Sequence, residues 1–154
     1  KMDKLDYKIL HCLQKQGRIS NLELAEEVGL SPSPCHRRVK VLEGTNVIKK
    51  YVAIVDAKAM GFLISAFVNV SLRSQEKTAL QSFQSKVSSY SEVMECYLMT
   101  GTSDYLLRVV TRDLEEYEKF LVDKLTKIES IANIQTSFAL KPIVQRTELP
   151  LERK

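Results

Sequence analysis

The sequence lacks any apolar run long enough to cross a bilayer. Its longest candidate, Phe62 to Val68, is interrupted by Ser65 and followed by Asn69, well short of the roughly 20 apolar residues a spanning helix needs. The start, Lys1-Met2-Asp3-Lys4, passes straight into a helical pattern without the apolar core of a secretory signal, so a cytoplasmic location is expected. Cysteine is scarce and odd in number. Cys12, Cys35 and Cys96 are widely spaced and flanked by apolar or helix-forming residues, which points to reduced core thiols and against a disulfide framework or a zinc site. The two histidines, His11 and His36, each adjoin a cysteine, but consecutive side chains on a helix diverge and no second pair completes a coordination shell. No metal site is expected. The C-terminal half has no histidine, no nucleophile and no cofactor motif. Asp104, Glu95 and Tyr97 could be read as an acid/base grouping on a dimeric ferredoxin-like enzyme, but an enzyme is not expected, and neither catalytic residues nor a cofactor are assigned.

What the sequence does hold is 154 residues, 44% of them hydrophobic, enough for one or two small domains with real cores. Its positive charge is concentrated. Residues 1–61 carry 11 Lys and Arg against 7 Asp and Glu, whereas residues 62–154 carry 12 of each. Between positions 36 and 50, Arg37, Arg38, Lys40, Lys49 and Lys50 face only Glu43. A basic cluster that short fits one surface and a polyanionic partner, nucleic acid above all.

The N-terminal pattern reads as three short helices and a wing. Leu5, Ile9 and Leu13, with Leu10, recur at helical spacing and predict a helix from about Asp3 to Gln16, stopped by Gly17. Ser20 and Glu23 have capping-box spacing, and Leu22, Ala25 and Val28 form the apolar side of a second helix ending at Gly29. Ser31-Pro32 then supplies an N-cap and a first-turn proline for a third helix running to about Glu43. With Cys35, Val39 and Leu42 inward, Ser33, His36, Arg37 and Lys40 point outward. Two helices joined by a short Gly-containing turn, the second presenting small polar and cationic groups, meet the demands of a helix-turn-helix. Arg37 suits guanine edges, and Ser33 and His36 suit bases or phosphates. After Gly44-Thr45-Asn46, Val47 to Val55 has strand character, and Lys49 and Lys50 on it read as a wing that grips phosphates.

From Gly61 onward the order is β-α-β-β-α-β. Ala66, Val68, Val70 and Leu72 alternate with Phe67, Asn69 and Ser71 in a strand over Phe62 to Leu72. Leu80, Phe83 and Val87 mark a helix. Strands over Val93 to Met99 and Tyr105 to Thr111 flank Gly101-Thr102-Ser103-Asp104 as a hairpin. Leu114, Tyr117, Leu121, Leu125 and Ile128 mark the next helix, and Ile134, Thr136, Phe138 and Leu140 a last strand. This is the order of a ferredoxin-like sandwich. Phe67, Tyr97, Met99, Tyr105 and Phe138 are more large side chains than one sheet face absorbs, so the uncovered face is expected to meet a second copy.

Leu5-Asp6-Tyr7-Lys8-Ile9-Leu10, Leu24-Ala25, Leu30-Ser31-Pro32-Ser33-Pro34-Cys35, Arg37-Arg38-Val39 and Gly101-Thr102-Ser103-Asp104-Tyr105-Leu106-Leu107, in this order and separation, make the chain resemble the Lrp/AsnC (leucine-responsive, feast/famine) transcription regulators over about residues 3 to 145. Asn46 stands where that family often has Gly, and Asn tolerates the left-handed backbone such a turn needs. The resemblance implies an α+β chain: a winged helix-turn-helix of three helices plus a β wing, then a ferredoxin-like βαββαβ sandwich. The expected divisions are residues 1–46 for the helix-turn-helix, 47–61 for wing and linker, 62–145 for effector binding and oligomerisation, and 146–154 for a tail. The partners it implies are double-stranded DNA, a small amino acid and further copies of the chain, as a homodimer and then a tetramer or octamer, with no membrane. The candidate DNA-binding residues are Ser31, Ser33, Pro34, His36, Arg37, Arg38, Lys40, Lys49 and Lys50. The Gly-led turn has amides and hydroxyls for a carboxylate and Asp104 for an ammonium or for locking the turn. The resemblance implies a ligand cleft at the subunit interface around this Gly101, Thr102, Ser103 and Asp104 turn, with Met99, Thr100 and Tyr105 near it and Gln135, Thr136 and Ser137 of the last strand as contributors. Leu98 and Met99 suggest a leucine- or methionine-like side chain. An architectural DNA-wrapping protein without an effector is the alternative the same helices would serve.

Overall fold

The computed structural model describes residues 1–151. The chain divides into two compact units, one comprising Lys1–Ile54 with the segment from Ile143 onward, the other Val55–Pro142.

The first unit holds α1 (Lys4–Lys15), α2 (Asn21–Val28) and α3 (Pro32–Gly44). Each start is fixed by local chemistry. The Asp3 carboxylate accepts from the amides of Leu5 and Asp6, and Asp6 returns the bond to the Asp3 amide, which satisfies donors the first turn would otherwise orphan. Ser20 and Glu23 form the same reciprocal box on α2, as their spacing predicts. Gly29 closes α2 at φ 75°, and Asn46 follows α3 at φ 61°, the left-handed conformation expected of it. Pro32 occupies the first turn of α3, but the Ser31 side chain makes no capping bond.

Ile9, Leu24, Ala25, Val28, Cys35 and Leu42 form the buried core of this unit. Leu22, expected in that core, is 69% exposed, and Leu24 takes its place. At 100° per residue, Leu24, Val28 and Ala25 span one face of α2, while Leu22 lies on the flank beyond Ala25. The β strand expected of the wing is absent among the described residues: Val47 to Val55 belongs to no ladder. Its Ile48 amide donates to the Leu42 carbonyl, and Val52, Ile54 and Val55 are exposed. β-branched and aromatic residues record fitness for a pleated surface, and no described strand lies beside these to pair with.

The second unit is a four-stranded antiparallel sheet with helices on one face. Its elements are β1 (Ile64–Leu72), α4 (Lys77–Ser88), β2 (Val93–Leu98), β3 (Tyr105–Thr111), α5 (Leu114–Asp123), a 3-10 turn (Leu125–Lys127) and β4 (Ile131–Phe138). The strand order is β2-β3-β1-β4, the ferredoxin-like arrangement. Val68 pairs with Leu107 on one side and Thr136 on the other, which fixes the inward row. Ala66, Val68, Val70, Leu107 and Val109 meet Phe83, Val87, Tyr117 and Phe120 in the core.

Several expected positions move. Tyr105 is 1% exposed and stacks on Phe83 at 4.5 Å, so it belongs to the core and not to the free sheet face. Phe138 pairs with the inward Ala66 and sets its ring edge against Tyr117 at 5.2 Å. The expected helix through Ile128 stops at Asp123; the 3-10 turn still buries Leu125 and Ile128, while Leu114 is exposed and Phe120 fills the core. Cys96 is exposed on β2, an edge strand, not a core thiol; Cys35 is buried.

Candidate nucleic-acid interface and effector turn

The outer face of α3 carries Ser33, His36, Arg37 and Lys40, all exposed, opposite buried Cys35 and Leu42. Helix geometry places Ser33, Arg37 and Lys40 on one stripe at spacings of four and three. Lys40 lies 3.6 Å from Glu43 but remains open to solvent. Lys49 and Lys50 are exposed on the extended segment after α3. Tyr51 beside them has its hydroxyl pushed up to about 12 by burial and by a hydrogen bond to Glu43. Ser31 is exposed and Pro34 half-buried at the start of α3.

Arg38 is drawn out of the DNA-facing set. Its Nη1 lies 2.8 Å from Asp3 Oδ1 and 3.0 Å from Asp6 Oδ1, which ties α3 to the start of α1. The Arg38 hydrogen bond holds the Asp3 carboxyl below its ordinary value of 3.8, and Asp3 raises the guanidinium in return. A side chain held by two carboxylates offers a phosphate little net charge.

At the β2–β3 turn, Met99, Thr100, Gly101 and Thr102 are exposed and Ser103 and Asp104 half-buried. The Met99 amide donates to the Asp104 carbonyl at 2.9 Å, and Gly101 takes φ 111°, where a Cβ would strain the backbone. Asp104 Oδ2 accepts from the Leu72 amide at 2.7 Å and from Gln75 Nε2 at 3.3 Å. The carboxylate thus fastens the turn to the end of β1, a role that the intervening sequence of about thirty residues hides.

Two members of the expected effector set point elsewhere. The Tyr105 ring is buried and its hydroxyl accepts from Gln84 Nε2 at 2.7 Å. The Thr136 hydroxyl bonds the Tyr117 hydroxyl on the helix-covered side. Gln135 and Ser137 alternate with Thr136 and are exposed on the open face, in register with Asn69 and Phe67. On that face the Glu95 carboxyl is lowered by hydrogen bonds from Tyr97 and from Arg108, whose Nε lies 2.8 Å away. An ion pair and a tyrosine hydroxyl satisfy one another there.

No cluster of three or more His, Cys, Asp and Glu side chains among the described residues is arranged to hold a metal, and no described helix is long and apolar enough to cross a membrane.

A helix-turn-helix with a polar, cationic third helix, followed by a βαββαβ unit, defines a DNA-binding regulator with a separate sensing domain. Residues 2–49 match the winged helix-turn-helix DNA-binding family and residues 65–149 the Lrp/AsnC ligand binding domain. The chain belongs to the Lrp/AsnC family of transcriptional regulators and is not an enzyme. It is 42% identical over 150 residues to the Bkd operon transcriptional regulator of Pseudomonas aeruginosa, covering 97% of this chain and 98% of that protein. It is 38% identical over 142 residues to a leucine-responsive regulatory protein of Rhizobium meliloti, covering 92% and 91%. Among solved structures, a transcriptional regulator of Neisseria meningitidis in complex with L-Met superposes with TM-score 0.94 at 40% identity, covering 98% of this chain and 97% of that one.

Proposed function

We propose that the protein regulates transcription by reading an imperfect palindrome through α3 and by responding to a leucine- or methionine-like amino acid at the β2–β3 turn. The observation that carries the reading is the outward stripe of Ser33, Arg37 and Lys40, with His36 beside it, on a helix whose opposite side is core. Arg37 is the base-reading cation. Lys40, Lys49 and Lys50 contact phosphates, with Ser31, Ser33, Pro34 and His36 near the DNA and Arg38 holding α3 in position.

The effector is proposed to lie against Met99 to Asp104, with Gln135 and Ser137 of the open sheet face as further contacts. The methionine bound by the similar Neisseria regulator supports an amino-acid ligand. The open face, with Phe67 and Tyr97 exposed, supports pairing with a second copy, which gives the two-fold symmetry a palindrome requires.

Titration of DNA binding against salt tests the core of this reading. Arg37→Ala is expected to erase preference for a selected operator over random DNA. Lys50→Ala should weaken binding to both about equally and reduce the salt slope by about 0.9. A Lys50→Ala protein with unchanged affinity and slope would remove the phosphate role from this segment.

A further inference from the structure

Val41 is 61% exposed on α3, although Cys35 and Leu42 of the same helix are fully buried. A β-branched residue gains nothing in helix propensity at an exposed position. Its place is fixed: the Val41 carbonyl accepts from both the Thr45 amide at 2.9 Å and the Thr45 hydroxyl at 2.7 Å, which anchors the last turn. Pro34, Arg37 and Val41 follow one another at spacings of three and four, so they share a side of the helix. Together with Asp6 and Arg38 they line an open groove of about 380 Å³. Arg38 in that groove is neutralised by Asp3 and Asp6, which leaves Arg37 as its uncommitted cation, flanked by two apolar groups.

The edge of a base pair offers one apolar feature in the major groove, the C5-methyl of thymine. Pro34 and Val41 are seven residues apart, roughly 10 Å along the axis at 1.5 Å per residue, or about three base-pair steps at roughly 3.4 Å each, with Arg37 between them. We propose that Val41, with Pro34, reads thymine methyl groups on either side of the base contacted by Arg37, which makes Val41 a specificity-determining residue. The contact would favour thymine next to the Arg37-read position and disfavour cytosine, whose edge presents an amino donor to an apolar side chain. This rests on α3 being the DNA-reading helix.

The test uses the full chain and an operator selected from random duplex DNA. Each thymine is replaced in turn by deoxyuracil, which removes only the methyl group. The wild type is expected to lose about fourfold in affinity at one or two positions, the worth of one buried methyl. Val41→Ala and Val41→Thr should bind the thymine operator less tightly, and Val41→Ala should be indifferent to uracil at one of those positions, as a double-mutant cycle requires. A wild type insensitive to uracil everywhere, or a Val41→Ala protein with full affinity and undiminished sensitivity, overturns the thymine contact. If Val41→Ala instead changes the subunit number in sedimentation without altering uracil sensitivity, the groove belongs to a second copy and the proposal fails. The Arg37→Ala control separates the two levels: with its sequence preference lost, a uracil-blind wild type refutes only the thymine contact. Preference retained in Arg37→Ala refutes α3 as the reading helix and the thymine contact with it.

Discussion

Arg37 and Arg38 are neighbours in sequence with opposite fates. One hundred degrees of helical rotation points Arg37 to solvent and Arg38 to the carboxylates of Asp3 and Asp6. The consequence is a pH dependence with a definite sign. Because Arg38 holds the Asp3 carboxyl below its ordinary value of 3.8, the folded state keeps this group ionised where the unfolded chain would protonate it. The pair's contribution is therefore present at neutral pH and is lost as pH falls below about 4. In acid unfolding followed by circular dichroism, Asp3→Asn is expected to be less stable at pH 7 and to converge on the wild type only as the pH falls through the lowered pKa of the folded Asp3. Equal separation of the two curves at all pH values would show that the helix cap, not the ion pair, sets the effect.

At the scale of elements, the β2–β3 hairpin has its position set by a bond outside itself. Asp104 fastens the turn to β1 through the Leu72 amide, with Gln75 on the same oxygen. Replacing it by alanine leaves a half-buried amide without its acceptor, a loss of about 1–3 kcal/mol. Asp104→Asn keeps a carbonyl oxygen for Leu72 but removes the charge. It is expected to melt close to the wild type while losing most of the thermal shift that leucine or methionine produces, since a ligand bound only to the native state stabilises by mass action. A full amino-acid shift in Asp104→Asn would mean that no ammonium pairs with this carboxylate. The hairpin strands themselves are legible because each is a short run of β-formers flanking a Gly-led turn, and Tyr105 to Thr111 is read to the residue. The wing differs for the complementary reason: Val47 to Val55 is rich in β-branched and apolar residues, but a strand exists only with a neighbour.

For the whole molecule, the uncovered sheet face is where assembly is proposed. Phe67 is 39% exposed, with Arg108 and Ser137 as its cross-strand neighbours. A carboxylate there would carry charge into the face proposed to be covered by a second copy, while the core on the other face stays intact. Phe67→Asp is expected to shift the protein toward monomers in sedimentation velocity with native circular dichroism. An unaltered mass distribution would move the interface elsewhere on the chain.

The helix count, the βαββαβ order, the caps at Ser20 and Gly29, the turn at Asn46 and the outward face of α3 were all determined within the sequence. Each depends on residues a few positions apart, where backbone geometry alone fixes which side chains share a face. Tyr105, Thr136, Arg38 and Asp104 belong to another class. Their partners, Phe83 and Gln84, Tyr117, Asp3 and Asp6, and Leu72, lie 19 to 35 residues away. Only the packed fold brings such groups into contact, so only tertiary structure decided that a conspicuous tyrosine is core, that one arginine of a pair is an anchor, and that the acid of the turn is a fastener.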